Sequence, residues 1–206
     1  MATRKTQEER KAESTQALLE AAVRLIGQEG SVRTSLARIG AEAGFSRGIV
    51  NERFGTKQAL IEGLVDDVQQ QIREGVLESA RGQEQGLDSL LAVVDAYLAN
   101  VARSEDTGRA FYVMMAESIG PVPELREKFA QATRELRDFL GREIQAGIDG
   151  GDIRPSIDPA AQAALIVGSL RGLTLQRLVD PSGVDIDTTR RQLLENLERT
   201  LRHRQE

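Results

Sequence analysis

Apolar residues recur every three or four positions along most of the chain, and nowhere do they alternate with polar ones as a half-buried strand requires. From Ser14 a stripe of Leu18, Ala21, Ala22, Leu25 and Ile26 predicts a helix that stops before Gly30. The polar, charged stretch ahead of it, MATRKTQEERKAES, reads as a flexible arm or a frayed helix start. Two short helices follow, then a longer one from about Thr56 to Ser79, striped by Leu60, Ile61, Leu64, Val65, Val68, Ile72 and Val76. RGQEQG at 81–86 is a turn-rich break. Leu87, Leu90, Leu91, Val94 and Leu98 mark a helix ending near Ser104; Phe111, Met114, Met115 and Ser118 mark the next, stopped by GPVP at 120–123. A long helix spans about 124–148, the loop GGDIRPSIDP covers 150–159, and the last two helices cover roughly 159–179 and 186–203. The pattern predicts an all-α fold of about nine helices.

Residues 34–57, TSLARIGAEAGFSRGIVNERFGTK, have the spacing of a helix-turn-helix. Ile39 and Ala43 give its first helix one buried face, and Gly40, with no side chain, lets the second helix cross close by. Gly44 can take the positive φ that makes the turn, Ser46 is a suitable N-cap, and Val50 points back into the small core. A helix held in this way presents its outer residues to the major groove, so the expected activity is sequence-specific DNA binding.

A net charge of −5 is unusual for such a role until it is divided along the chain. Residues 1–57 hold 10 basic and 7 acidic side chains, a balance of +3, which leaves −8 on the rest. That asymmetry fits a basic head that meets phosphates and an acidic body that does not. Cysteine is absent and His203 is the single histidine, so disulfides, thiolate or histidine metal sites and a histidine base are excluded. No paired-carboxylate motif stands out; no catalytic residue, metal or cofactor is assigned. The chain lacks an 18-residue apolar run and an apolar N-terminal segment, so neither a membrane span nor a signal peptide is expected, and the expected location is the cytoplasm.

The stretch from about Ser14 to Leu64 resembles the tetracycline-repressor (TetR-type) family of bacterial transcription regulators. The resemblance rests on Gly30, Thr34, Ser35, Ile39, the Ala43-Gly44-Phe45-Ser46 turn, Gly48, Phe54, Thr56-Lys57 and Leu60. Beyond it, the chain matches the family in architecture and in the loop GDIRPSIDP before a long apolar helix. The resemblance implies a three-helix DNA-binding head at 1–55 and a larger helical ligand-binding and dimerisation domain at 56–206. It places Arg47, Gly48, Ile49, Asn51 and Arg53 on the outer face of the recognition helix, with Ser46 at its start. Thr34 and Ser35 begin the preceding helix, and Thr56 and Lys57 the following one, where a hydroxyl and free backbone N–H groups suit a phosphate. Asn51 stands where the family usually has an aromatic residue, and Arg53 where it has an aromatic or histidine, so an operator cannot be copied from a relative. The alternative from another class is a helical ligand-binding or scaffold protein that has lost DNA binding, with Asn51 as its one hint.

The helix from Ala160 to Val179 is apolar nearly all round, so it must be covered on two sides. With the last helix it predicts a four-helix interface between two copies, through Leu165, Gly168, Leu173, Leu178, Leu194, Leu197 and Leu201. The family resemblance implies a small-molecule effector in the larger half, in a cavity lined by Leu64, Val68, Leu91, Val94, Tyr97, Phe111, Met114, Met115, Phe129 and Arg171. An aromatic content of 3% favours an aliphatic effector over a flat, ring-stacking one. Arg171 is the single ionisable group between Asp158 and Arg177, so a partner is expected for it if it is buried. Candidates are Glu117 of the same subunit, an acid across the dimer interface, or an anionic ligand head group; otherwise the side chain snorkels to the interface rim.

Overall fold

In the computed structural model, residues 6–80, 84–103 and 105–203 are described, apart from the side chains at 72, 73, 76, 77, 79, 80 and 101–103. The described residues form nine α-helices and no strand. They are α1 (Gln7–Glu29), α2 (Leu36–Glu42), α3 (Arg47–Phe54), α4 (Lys57–Ala80) and α5 (Leu87–Arg103). There follow α6 (Glu105–Ile119), a 3-10 turn at Pro123–Leu125, α7 (Arg126–Gly150), α8 (Pro159–Val179) and α9 (Ile186–Leu201). The side chains of Ile72 and Val76, part of the expected α4 stripe, and residues 81–83 of the expected break lie outside the described residues. No described helix is long and apolar enough to cross a membrane.

The polar N-terminal stretch is helical from Gln7 onward, so Arg10 and Lys11 are not part of an arm. The cause is a capping box: the Glu9 amide donates to Thr6 Oγ1 (3.2 Å) and the Thr6 amide to Glu9 Oε2 (2.7 Å). Such a start needs no apolar residue, which is why the stripe alone placed it too late. The loop expected at 150–159 carries one extended pairing, an isolated antiparallel bridge between Ile153 and Arg202. The Arg154 amide donates to Leu201 O (2.9 Å) and the His203 amide to Asp152 O (2.7 Å), which ties the chain after α9 to this loop.

Two compact units result. The first takes the residues up to Val68 together with Asp106–Phe129, the second Gln69–Glu105 and the residues from Ala130 onward. This differs from a division at 55/56. Leu60, Ile61, Leu64, Val65 and Val68 of α4 and Ala110, Phe111 and Met114 of α6 are buried in the first unit with Leu18, Leu25 and Ile26 of α1. One long helix and two short ones alone bury too little apolar surface, so the head borrows the start of α4 and most of α6 for its core. The second unit is built on α5, α7, α8 and α9, with Leu90, Val94, Leu98, Leu140, Ile144, Ile166, Leu170 and Leu201 at its centre.

Asp185 caps α9, accepting from the Asp187 and Thr188 amides (3.1 and 3.2 Å) and from the Thr188 hydroxyl (2.7 Å). The Thr188 hydroxyl, ahead of the Thr188 amide, holds the carboxyl below its ordinary value of 3.8. A folded-state pKa lowered in this way stabilises the fold above about pH 4 and is lost as pH falls through it. Asp185→Ala is therefore expected to lower the melting temperature near pH ~6, with the gap to the parent narrowing toward pH ~3. A gap that stays constant across that range would show that the carboxylate charge is not what caps the helix.

Candidate nucleic-acid interface

The turn between α2 and α3 depends on its glycines. Gly44 has φ +76°, and the Phe45 amide closes the turn on Gly40 O at 2.7 Å. A Cβ on Gly40 would stand 2.8 Å from Val50 Cγ2 and 3.0 Å from Phe45 O, so the two helices cross in direct contact there. Val50 and Ile39 are buried beneath the crossing. The opposite face of α3 carries Arg47, Gly48, Asn51 and Glu52, all exposed, with Ile49 half-buried. That is the outward face a recognition helix needs.

Three exposed hydroxyl residues stand at the starts of α2, α3 and α4. Ser35 Oγ accepts from the Arg38 amide (3.3 Å) and Thr56 Oγ1 from the Ala59 amide (3.1 Å). Ser46 occupies the N-cap of α3 with extended backbone, yet its side chain makes no capping bond; the Ile49 amide bonds its carbonyl instead (3.0 Å). Its hydroxyl is left exposed at the positive end of the α3 dipole.

Three expected contacts are engaged inside the protein. Thr34 is 1% exposed, its Oγ1 donating to Gly30 O at 2.9 Å, so its hydroxyl ties the α1–α2 junction together and does not face outward. Arg53 lies on the inner side of α3, its side chain 15% exposed, with Nε donating to Ser14 Oγ (3.2 Å) and Nη1 paired with Glu52 (2.6 Å). It pins α3 to α1. Ser14, a buried polar residue on the α1 stripe, was the signal for this pairing. Lys57 is half-buried and donates to Val32 O (3.1 Å). Arg33, exposed in the turn between α1 and α2, is a cation that the motif spacing did not single out.

In the second unit, α8 buries Ala163, Ile166, Val167, Leu170 and Thr174. Its other side leaves Leu165 (65%), Leu175 and Val179 (78%) exposed, beside Gly168. A shallow groove of about 550 Å³ runs between α8 and α9, lined by Leu165, Gly168, Gly172, Leu173 and Leu193 among others. Leu197 and Leu201, expected at an interface between copies, are buried in this unit's own core, and Leu173 and Leu194 pack partly against it. Leu178 is half-buried. The α9 stripe therefore faces inward, and the outward apolar surface belongs to α8.

The residues expected to line an effector cavity are divided between the units. Leu64, Val68, Phe111, Met114, Met115 and Phe129 belong to the first, Leu91, Val94, Tyr97 and Arg171 to the second. Phe111 stacks edge-on against Phe129 (5.2 Å between centroids) and against Tyr112 (5.8 Å), an arrangement of packed core. Leu91 lines a cleft of about 840 Å³ with Glu84, Asp88, Asp95 and Asp152. Arg171 is half-buried and donates from Nη2 to Thr133 Oγ1 on α7 (2.9 Å). Glu117, one of the candidate partners for Arg171, instead accepts the Ser31 amide on both carboxylate oxygens.

Comparison with known proteins places these features in context. Residues 18–64 match the model of bacterial regulatory proteins of the tetR family, and residues 86–202 that of the C-terminal region of BetI-type transcriptional repressors. The HTH-type transcriptional regulator BetI 1 of Chromohalobacter salexigens is 23% identical over 185 residues, which are 89% of this chain and 88% of that protein. Among solved structures, a TetR transcriptional regulator from Chloroflexus aurantiacus superposes with a TM-score of 0.83 at 22% identity, covering 95% of this chain and 99% of that one. A transcriptional regulator from Saccharomonospora viridis in complex with choline does so with a TM-score of 0.81 at 20% identity, covering 94% and 100%.

Proposed function

Since this chain belongs to the TetR family of bacterial regulatory proteins, with a BetI-type C-terminal region, and is a DNA-binding transcriptional regulator, we propose that it acts in the cytoplasm as a homodimeric repressor released by a small-molecule effector. The observation that carries the reading is the exposed face of α3, with Arg47, Gly48 and Asn51 set between the hydroxyl-bearing starts of α2 and α4. Arg47 offers a bidentate fork to a guanine edge, and Asn51 suits an adenine edge or a phosphate. The helix starts supply backbone N–H groups and positive dipole ends for flanking phosphates. Residues 1–55 form the functional head in this reading and 56–206 the effector and dimerisation part.

The exposed apolar side of α8 supports pairing of two copies about a two-fold axis. Two α3 helices would then meet half-sites ~34–36 Å apart, so the operator is near-palindromic. The structural relative named above holds choline. Recognition of a quaternary ammonium draws on aromatic faces, and this chain has no Trp and two Tyr, while Phe111 and Phe129 are taken up with each other. An aliphatic effector suits this composition better. To reverse occupancy it must favour the released state by ~5.5 kcal/mol.

Retardation of the DNA flanking the protein's own gene tests the reading. Lys57→Ala is expected to weaken binding to all sequences alike and to lower the salt slope by ~1, by exchanging the Val32 carbonyl for a phosphate in the parent complex. Arg47→Ala should cost ~1–3 kcal/mol and relax specificity at one position of each half-site. Unchanged affinity and salt slope in both variants would remove α3 and its flanks from the interface.

A further inference from the structure

The six residues 30–35 join α1 to α2, and residues of α2, α4 and α6 bond to this junction and to the end of α1 beside it. Arg38 of α2 pairs with Glu29, and Lys57 at the start of α4 donates to Val32 O (3.1 Å). From α6, Glu117 accepts the Ser31 amide on Oε1 and Oε2, both at 3.1 Å. The carboxylate also fills the space beside Gly30: a Cβ built there would lie 2.6 Å from Glu117 Oε1. Gly30 has φ +85°, so its lack of a side chain serves the turn and the carboxylate together. Ser31 is buried, which leaves little water to replace this bond if it breaks.

The end of α6 is itself clamped. Glu117 O accepts the amides of Gly120 (3.0 Å) and Val122 (2.9 Å), and Arg126 on the first turn of α7 donates to Ser118 O (3.4 Å) and Ile119 O (3.2 Å). The α6 terminus and the α7 start thus form one piece, and Glu117 links that piece to the α1–α2 junction. The junction in turn leads into α2, whose Gly40 holds α3 by direct contact with Val50. All of these groups lie in the first compact unit.

We propose that Glu117 is a positioning residue for DNA binding: its two-oxygen bond to the Ser31 amide fixes the α1–α2 junction against the end of α6 and thereby sets where α3 is held. The link to DNA rests on the α3 reading under Proposed function. A displacement of the α6 end either carries the junction with it or breaks this bond, and both outcomes change the presentation of α3. A charge-assisted bond to a buried amide is strong enough for the role, and its loss removes preorganisation that binding otherwise inherits.

The chain has no cysteine, so thiols at Glu52 on α3 and Ala116 on α6, both exposed, can carry spin labels without background. Distances are read by pulsed electron resonance in full-length protein diluted with unlabelled chain, and DNA affinity is read in the unlabelled variants. Glu117→Ala is expected to broaden the α3–α6 distance distribution and to weaken binding about tenfold. Glu117→Gln, which keeps one carbonyl acceptor for the Ser31 amide, should restore most of both. If Glu117→Ala does not fold, Glu117→Asp, too short to reach, carries the same test. A lowered melting temperature with an unchanged distance distribution, or affinity within about twofold of the parent, overturns the proposal. Should Arg47→Ala bind DNA like the parent while the distances still move, the α3 reading fails and the positioning role stands.

Discussion

Leu165→Glu is expected to convert the protein into a compact monomer that no longer retards its operator. Leu165 is 65% exposed on the face of α8 that points away from its own core. In a two-fold interface it is buried twice, and each burial contributes ~1.5–3 kcal/mol. Glutamate removes both contributions and places two like charges in an apolar seam, where an unpaired charge costs several kcal/mol more. Because the side chain is exposed in the isolated protomer, the protomer itself should fold and melt much as before. A lone head keeps one half-site and forfeits the effective concentration supplied by its twin, a loss of ~10²–10⁴ in affinity. The same substitution at Leu201, which is 0% exposed in the core of the second unit, would report only unfolding. Sedimentation and retardation decide the matter: a Leu165→Glu protein that sediments as a dimer excludes this face as the interface.

Gly40→Val should abolish operator binding while leaving the second unit intact. The added Cβ meets Val50 Cγ2 at 2.8 Å and Phe45 O at 3.0 Å. Val50 is itself β-branched and stiff at χ1, and Phe45 O is backbone, so neither yields easily. Overpacking of this kind costs ~1–3 kcal/mol, and the available relief is for α3 to move away from α2. That shift displaces Arg47 and Asn51 from any pose the parent presents. Gly48 is the control: it is exposed, and its Cβ would meet only Ser46 Oγ at 3.6 Å, so Gly48→Ala should fold normally. Circular dichroism melts and retardation assays on both variants provide the test. A Gly40→Val protein that binds like the parent would mean that the close crossing does not control how α3 is presented.

The order of helices and the helix-turn-helix were legible in the chain because both depend on short-range spacing. A stripe at i, i+3 and i+4 describes one face of one helix, and Gly40 and Gly44 mark a close crossing and a left-handed turn within a single motif. The capping box at Thr6 and Glu9 was equally local, and was missed because an apolar stripe was taken to define the start of α1. The outward display of Arg47, Gly48 and Asn51 follows from Val50 pointing inward on the same short helix.

What lies on the far side of each stripe was decided only by tertiary structure. Leu197 and Leu201 are as apolar as Leu165, yet the first two are buried in their own core and the third faces out, because an apolar stripe says that a face is covered and not by what. Arg53 and Thr34 have the chemistry of phosphate ligands, but the positions of Ser14 and Gly30 turn them inward. Glu117 was one of several candidate partners for Arg171; in the fold it meets the Ser31 amide, 86 residues away in the chain, and Arg171 meets Thr133. The sequence by itself determined an all-helical chain with a DNA-reading head, since periodicity and turn chemistry act over a few residues. Which polar groups hold the frame was decided by contacts between distant segments, whose partners no local pattern specifies.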